Sequence, residues 1–562
     1  MSMNFNAPRE SMKRHLSSIA FITFLLLAGC GQTPPDGNAG EGGSTGSGGG
    51  SSWRSSLYPE DWTPGLLDAS GRSLQDFSYA GFHYGEPPDP GPLEVIDVIG
   101  ADPTGTIDST ATLQATIDMA KAKDGGIVHI PSGLYRIDGT LDVSGSRTVL
   151  RGDGPTKTRL FFTKAQGMSD KAHISFQAPL NVDLETPIAA DAGMGTTSIA
   201  VVDASGFAPG DDVAIGFVIT AAFIAEHGMT GTWAAFNDSW QTFFRRTVVT
   251  IDTSTSPHTM EIDVPLRYPV QLRDSASVKR ERGYLVGVGV ESLALANAGS
   301  WDDAWSTDRN HVLEFAHTVD GYVRDVQSFP SPNAPMTGDG AGAHLLSGGI
   351  LVRESKRVTI EHTEMSAAQN RGGGGNGYLF EIQRSSEVLI ADSKGTAGRH
   401  NFIQNWGFGT TGCVWLRVES REGTTFVAKD ASLGLTGHSE YHHSLATANL
   451  VDGSLFDDGF STINRHDEST GAGHTGTMNV VWNVRGTGTV RSMQYGWGYV
   501  IGTSGPYIVT ESPLPLGQGT EPVDFVEGQD RGADLIPQSL YEDQRAKRKA
   551  NSARLADGQR TR

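Results

Sequence analysis

The side chains best suited to acid–base chemistry crowd into residues 399–497. Three groups stand out. The first is His-Ser-Glu-Tyr-His-His at 438–443, in which His438, Glu440 and His442 alternate. A β-strand would set all three on one face. Imidazoles beside a carboxylate can form an acid–base pair or part of a metal site, although no fourth ligand is visible. A merely polar outer face would look the same. The second group is Asp457-Asp458-Gly459, followed by Gly473-His474-Thr475-Gly476. Two carboxylates can serve as acid and base in glycoside hydrolysis. Asp-Asp-Gly is equally a turn between strands. The third is the polar loop Arg465-His466-Asp467-Glu468. Abstracting the proton beside a uronate carboxyl needs a base and a cation. His442 or His474 could be the base, and Arg465 or Arg399 the cation.

Aromatic residues interleave with these groups. Trp406 lies near the first, and Tyr495-Gly-Trp497-Gly-Tyr499 would place three rings on one strand face. Such a face can hold a sugar ring or stack inside the fold. Arg399, Trp406, Tyr495 and Trp497 are therefore the candidate binding residues. Catalytic candidates are Glu440, His442, Asp457, Asp458, Arg465 and His474; of these, His442, Asp457, Asp458, Arg465 and His474 are expected to converge on one exterior groove. No spacing marks a metal site, and no cofactor is implied outright. Calcium is conceivable for an eliminating enzyme, which would show several convergent acidic ligands.

The elements that must position these residues are short strands. From residue 284 onward, runs such as Val358/Ile360, Val388/Ile390 and Val480/Trp482 recur at uneven intervals of about 23 to about 39 residues, which suits a solenoid with loops of varying length. Glycine is abundant, 71 of 562 residues, consistent with many tight turns. Residues 183–270 break the pattern and read as antiparallel hairpins, a small inserted β-subdomain. Trp233 and Trp240 fall within it, where they could form a sugar-stacking platform, although core packing is the expected role for both. The last stretch, 536–562, reads as a helix with a basic tail, with Leu540 and Tyr541 packing over the last coil. A net charge of −20 argues against nucleic acid as a partner.

Residues 94–162 carry a resemblance. Val95–Ile99 is a short strand, followed by a helix with Leu113, Ile117 and Ala120 at helical spacing, ended by Gly125-Gly126. The elements GADPTGTIDSTATLQATID and GGIVHIPSGLYRI resemble the opening of the pectate lyase-like superfamily. That resemblance implies an all-β fold, a right-handed parallel β-helix over 57–535 with an N-terminal capping helix. It implies an enzyme that cleaves a polysaccharide, with uronate-containing substrates fitting best, by hydrolysis or β-elimination. A non-catalytic carbohydrate-binding protein on the same solenoid is the alternative. Asp457-Asp458 and the later Gly-His resemble the polygalacturonase and rhamnogalacturonase pattern. Gly-His-Thr-Gly replaces its Gly-His-Gly, and the Asn-Thr-Asp and Arg-Ile-Lys elements are missing.

At the N-terminus, basic residues precede the apolar run Ile19–Ala28, which ends in Leu27-Ala28-Gly29-Cys30. This resembles a bacterial lipoprotein signal over 1–29 and implies lipidation of Cys30 and anchorage at the outer membrane or cell surface. Residues 30–56 are Gly/Ser-rich and expected to form a tether. Cys413 lies in an apolar strand pattern, as a buried thiol would.

Overall fold

The computed structural model describes residues 51–513 and 517–560. Cys30 and the tether up to residue 50 lie outside the described residues. The fold is a parallel β-helix. One ladder shows its regularity: Ile96, Val128, Leu150, Val290, Val323, Ile360, Ile390, Trp415, Val451, Val481, Val500 and Val526 pair in turn, one per coil. Val358/Ile360 and Val388/Ile390 thus sit in adjacent coils. β-Branched and aromatic side chains suit this arrangement because each stacks on its neighbours inside a dry interior.

A second face runs beside this one, and a third, ten-stranded parallel face completes the cross-section. The third face matters for function. Six of its strands are β1 (His311–Ala316), β2 (Gly348–Arg353), β3 (Tyr378–Gln383), β4 (His400–Asn405), β5 (Ser439–Tyr441) and β6 (Phe460–Thr462), paired in that order. Four strands end on a non-glycine residue in the left-handed region: His317 after β1, Glu354 after β2, Arg384 after β3 and Trp406 after β4. Such corners cost energy for a side chain with a Cβ. Repetition in successive coils shows that the coil shape imposes them.

The helix Thr110–Ala122 caps the first coil, burying Leu113, Ile117 and Ala120 in the main core. Cys413 is a core residue, its thiol pushed up to about 12 by burial. The inserted subdomain is a six-stranded antiparallel sheet between Asn181 and Arg282, extending beyond the expected end at 270. It has its own core, in which Trp233 is fully buried. Trp240 is only partly buried, stacking under Lys279 Nζ at 3.8 Å.

The insertion is fastened to the solenoid by buried charge. Arg267 donates to both carboxylate oxygens of Glu387, at 3.0 and 2.8 Å, and Arg246 lies 3.5 Å from the same group. Lys356 pairs with Asp212 at 2.6 Å, and Arg357 with Asp263 at 3.2 Å.

Two expectations about the termini are corrected. Residues 51–56 belong to the folded unit rather than a tether: Trp53 bridges to Leu535, and its Nε1 donates to the Arg531 carbonyl at 2.8 Å. The C-terminal helix, Leu540–Arg560, lies along the flank instead of over the last coil. Leu540 and Tyr541 share a core with Leu57, Tyr58 and Phe77 and with Leu389, Val414, Leu450, Val480 and Trp482 from successive coils. Asp452 fixes the helix start by accepting from Ser539 Oγ and Tyr541 N. No helix among the described residues is long and apolar enough to cross a membrane.

Candidate functional site

The site is built on β3, β4 and β5, where Glu381 pairs with Ile403 and Ile403 with Glu440. Simple alternation fails at the start of β3. Leu379 and Phe380 both enter the core, so Tyr378 and Glu381 both turn outward. A cavity of about 280 Å³ opens above these strands, lined by Tyr378, Arg399, Asn405, Trp406, His442 and the loop residues Ser469 and Thr470, with Arg309 and two glycines at its edge.

Two buried carboxylates lie beneath it. Glu440 accepts from His442 Nδ1 and, at 2.9 Å, from His438 Nε2. Burial alone would raise its pKa. The surrounding His400, His442 and His438 instead hold it well below the usual carboxylate range. His442 is buried, and burial pushes it below the ordinary histidine value, with Arg465 and Arg399 acting in the same direction against Glu440. Its hydrogen bond to Glu440 assigns the proton to Nδ1, leaving Nε2 as an acceptor at the cavity wall. Glu381 likewise accepts from His311 Nε2 and Asn405 Nδ2, each at 2.9 Å. Burial raises its carboxyl, but His311, with Arg309 and Gln383, brings it down to about 2.

The cavity wall is cationic. Arg399 Nη1 donates to the Gly372 carbonyl at 2.9 Å, and its buried Nε has no protein partner. Tyr378 lies under this guanidinium, its phenol pushed up to about 12 by burial. Trp406 is 39% exposed and packs at a tilt against His443, 4.5 Å between ring centres. Its left-handed corner explains why so large a ring stands at the rim. The far wall is the loop 465–473. Arg465 donates to the His442 carbonyl at 3.0 Å, while Thr232 and Trp233 of the insertion bond to Asp467 and Ala472. Ser469 and Thr470 are both left-handed, strain of the kind that collects at working sites.

His400, Glu440 and His442 place one donor atom each within 4.8 Å of one another, a set that one divalent cation could bridge. Here Glu440 is already engaged by His438 and His442. None of the described lining residues is Asp or Glu, so the cavity does not offer the oxygen-rich donor set that calcium takes.

The sequence candidates divide. Glu440, His442, Arg399, Trp406 and Arg465 come together, with Arg465 acting through the loop and the His442 backbone. The other candidates do not line the cavity, so the expected single convergence is corrected. Asp457 pairs with Arg421 and accepts from Thr487. Asp458 accepts from Ser420 Oγ, Asn401 Nδ2 and Gly423 N; burial pushes it up to about 6. Both flank a turn closed by Gly459 at φ 96, and strand β6 separates them from His474. His474 is buried against Tyr495, 5.4 Å between ring centres, and burial pushes it down to about 4. Tyr495 stacks on His227 of the insertion at 4.2 Å. Trp497 packs on the opposite flank beneath Arg72, and Tyr499 is core. The Tyr495–Tyr499 run is therefore packing, not an open platform.

Sequence reasoning missed Tyr378, Arg309, Glu381, His311 and His400. A usable signal existed: Tyr-Leu-Phe-Glu-Ile-Gln sets one carboxylate inside an apolar strand, and His-Asn-Phe-Ile-Gln-Asn repeats the polar ends one coil later.

A family model described as Rhamnogalacturonase A/epimerase, pectate lyase-like, matches residues 95–203. No curated protein matches the chain in sequence. Among solved structures the chain is similar to ORF18 of Geobacillus virus E2, at 13% identity over 79% of this chain and 62% of that one, TM-score 0.37. It thus spans less than two thirds of that protein's length. It is similar to the Gp54 tailspike of Acinetobacter baumannii bacteriophage AP22, solved with a capsular saccharide, at 11% identity over 82% and 72% of the two chains, TM-score 0.40. It is also similar to an exopolygalacturonase of Thermotoga maritima, at 10% identity over 79% and 77%, TM-score 0.31.

Proposed function

We propose that this protein cleaves a uronate-containing polysaccharide by β-elimination at the Tyr378–Arg399–His442 cavity. One observation carries the reading: a buried imidazole, backed by Glu440, faces a cavity whose charged lining is cationic and whose described lining holds no carboxylate pair. Hydrolysis by two carboxylates would need an acid and a base facing the bond. Elimination needs a neutral base, a cation for the uronate carboxylate and a proton donor for the departing oxygen.

His442 Nε2 takes the proton from the carbon beside the carboxyl. Arg399, with Arg309 at the edge, offsets the charge that spreads into the carboxylate. The electron pair forms the ring double bond as the bond to the glycosidic oxygen breaks, and the Tyr378 hydroxyl protonates that oxygen. Trp406 supports a sugar ring at the rim. The match of residues 95–203 to the pectate lyase-like model agrees with a carbohydrate substrate.

Incubation with a panel of polygalacturonate, alginate and glucuronan is expected to give unsaturated uronate ends, read by ultraviolet absorbance. Saturated reducing ends would replace this reading with hydrolysis. Solvent deuterium incorporated without chain shortening would keep the base and remove the elimination step.

We further propose that the protein is exported and lipid-anchored through Cys30, on the strength of Leu27-Ala28-Gly29-Cys30. Cys30→Ser is expected to move it from the membrane to the soluble fraction; unchanged partitioning would sink the anchor.

A further inference from the structure

A second cleft, of about 230 Å³, lies beside the cavity and has no part in the chemistry above. Trp301, Phe426, Gln369 and Arg371 line it over a floor of small residues. Trp301 belongs to the short helix Trp301–Ser306, and its Nε1 donates to the Lys429 carbonyl at 3.1 Å. Phe426 belongs to the hairpin of Thr424–Phe426 and Gly434–Thr436. The Arg371 guanidinium lies 5.1 Å from the Phe426 ring centre, joining a flat apolar surface to a fixed positive charge. Asp339 stands exposed at the rim.

The run Gly372-Gly373-Gly374-Gly375 directly follows Arg371 of the cleft, and its last two residues lie at the cavity edge. It is held from both sides: Arg399 holds the Gly372 carbonyl, and Asn376 Nδ2 donates to the Gly373 carbonyl at 2.8 Å. Packing or backbone accounts for three of the four glycines. A Cβ at Gly372 would meet the Trp305 ring at 2.8 Å; Gly374 and Gly375 have φ of +77 and +88. Gly373 is different. Its φ lies outside the left-handed range, and a Cβ there would meet nothing within 4 Å. Neither packing nor backbone demands glycine at 373; a side chain would stand in open space, on the run that leads from the cleft to the cavity.

We propose that the glycine run is a saddle joining cavity and cleft into one groove, in which the cleft binds a further uronate residue of the same chain. The ring lies against Trp301 and Phe426, and its carboxylate meets Arg371. The enzyme then acts within long chains rather than on short ends alone. This inference rests on the elimination reading of the cavity.

The test compares Gly373→Phe with Gly373→Ala on the panel polymer that the wild type cleaves and on its trisaccharide. The expected result is a KM for the polymer raised about tenfold by Gly373→Phe. kcat should be retained, the trisaccharide little affected and Gly373→Ala close to wild type. Arg371→Gln should weaken binding of the polymer but not of its carboxyl-reduced form. Thermal midpoints equal to wild type establish that these variants are folded; if Gly373→Phe alone falls short, Arg371→Gln decides. Wild-type KM for the polymer in Gly373→Phe, or equal weakening of both polymer forms by Arg371→Gln, would overturn the groove while leaving the cavity chemistry standing. If the wild type neither binds nor cleaves any polymer of the panel, both readings fall together.

Discussion

Replacing His442 with alanine is expected to lower kcat on the uronate polymer by about 10³-fold, the usual scale for loss of a general base. KM should stay within a few-fold, because Arg399 and Trp406 still hold the substrate. Glu440→Gln is the more discriminating change. It keeps a hydrogen-bond acceptor for Nδ1 but removes the charge, so we expect a smaller loss, about 10²-fold. The pH profile separates the two roles. His442 must be neutral to act, and burial holds it below the ordinary value of 6.5. The rate should therefore be level through neutrality and fall only on its acid side. Glu440 stabilises the protonated imidazole, so Glu440→Gln should move that acid limb to still lower pH. An acid limb that stays in place would leave Glu440 as scaffolding, and a His442→Ala enzyme with wild-type turnover would end the case for this base.

The largest expected effect on stability lies elsewhere, at Glu387. Its side chain is 2% exposed and faces Arg267 and Arg246 from the insertion. Glu387→Gln leaves two guanidinium groups buried without their counter-charge, a change that costs about 3–5 kcal/mol. The double variant Arg267→Met/Glu387→Leu removes one charge of each sign and should lose less than the single variant. Chemical denaturation of the three proteins checks this. A Glu387→Gln protein as stable as wild type would mean that water or a rearranged partner reaches the pair.

The solenoid was legible in the chain because its signal is repeated. Ile360, Ile390 and Val481 each report the same inward position, and the helix before Gly125 announces the first coil. The site was only half legible. His438, Glu440 and His442 share one short segment, so alternation alone brings them together. Tyr378 and Arg309 come from other coils, and the break in alternation at Leu379–Phe380 hides the outward turn of Tyr378. Asp458 and His474 misled for the opposite reason. Both are titratable and close in sequence to the site, but the hydrogen bonds of Asp458 and the aromatic packing of His474 use them to hold the fold. Nothing in their residue types distinguishes a satisfied buried group from a working one.

The strap from Trp53 to Phe82 lies over residues that the ribosome makes long afterwards. Tyr58 needs Trp482 and Asp543, Phe77 needs Gln544, and Gly81 needs Glu387. The coils can grow one upon another as neighbours become available. The strap cannot: it must wait, unplaced, until almost the entire polypeptide has emerged. It is thus the closing step of assembly, and the segment most open to a protease while the molecule is still incomplete.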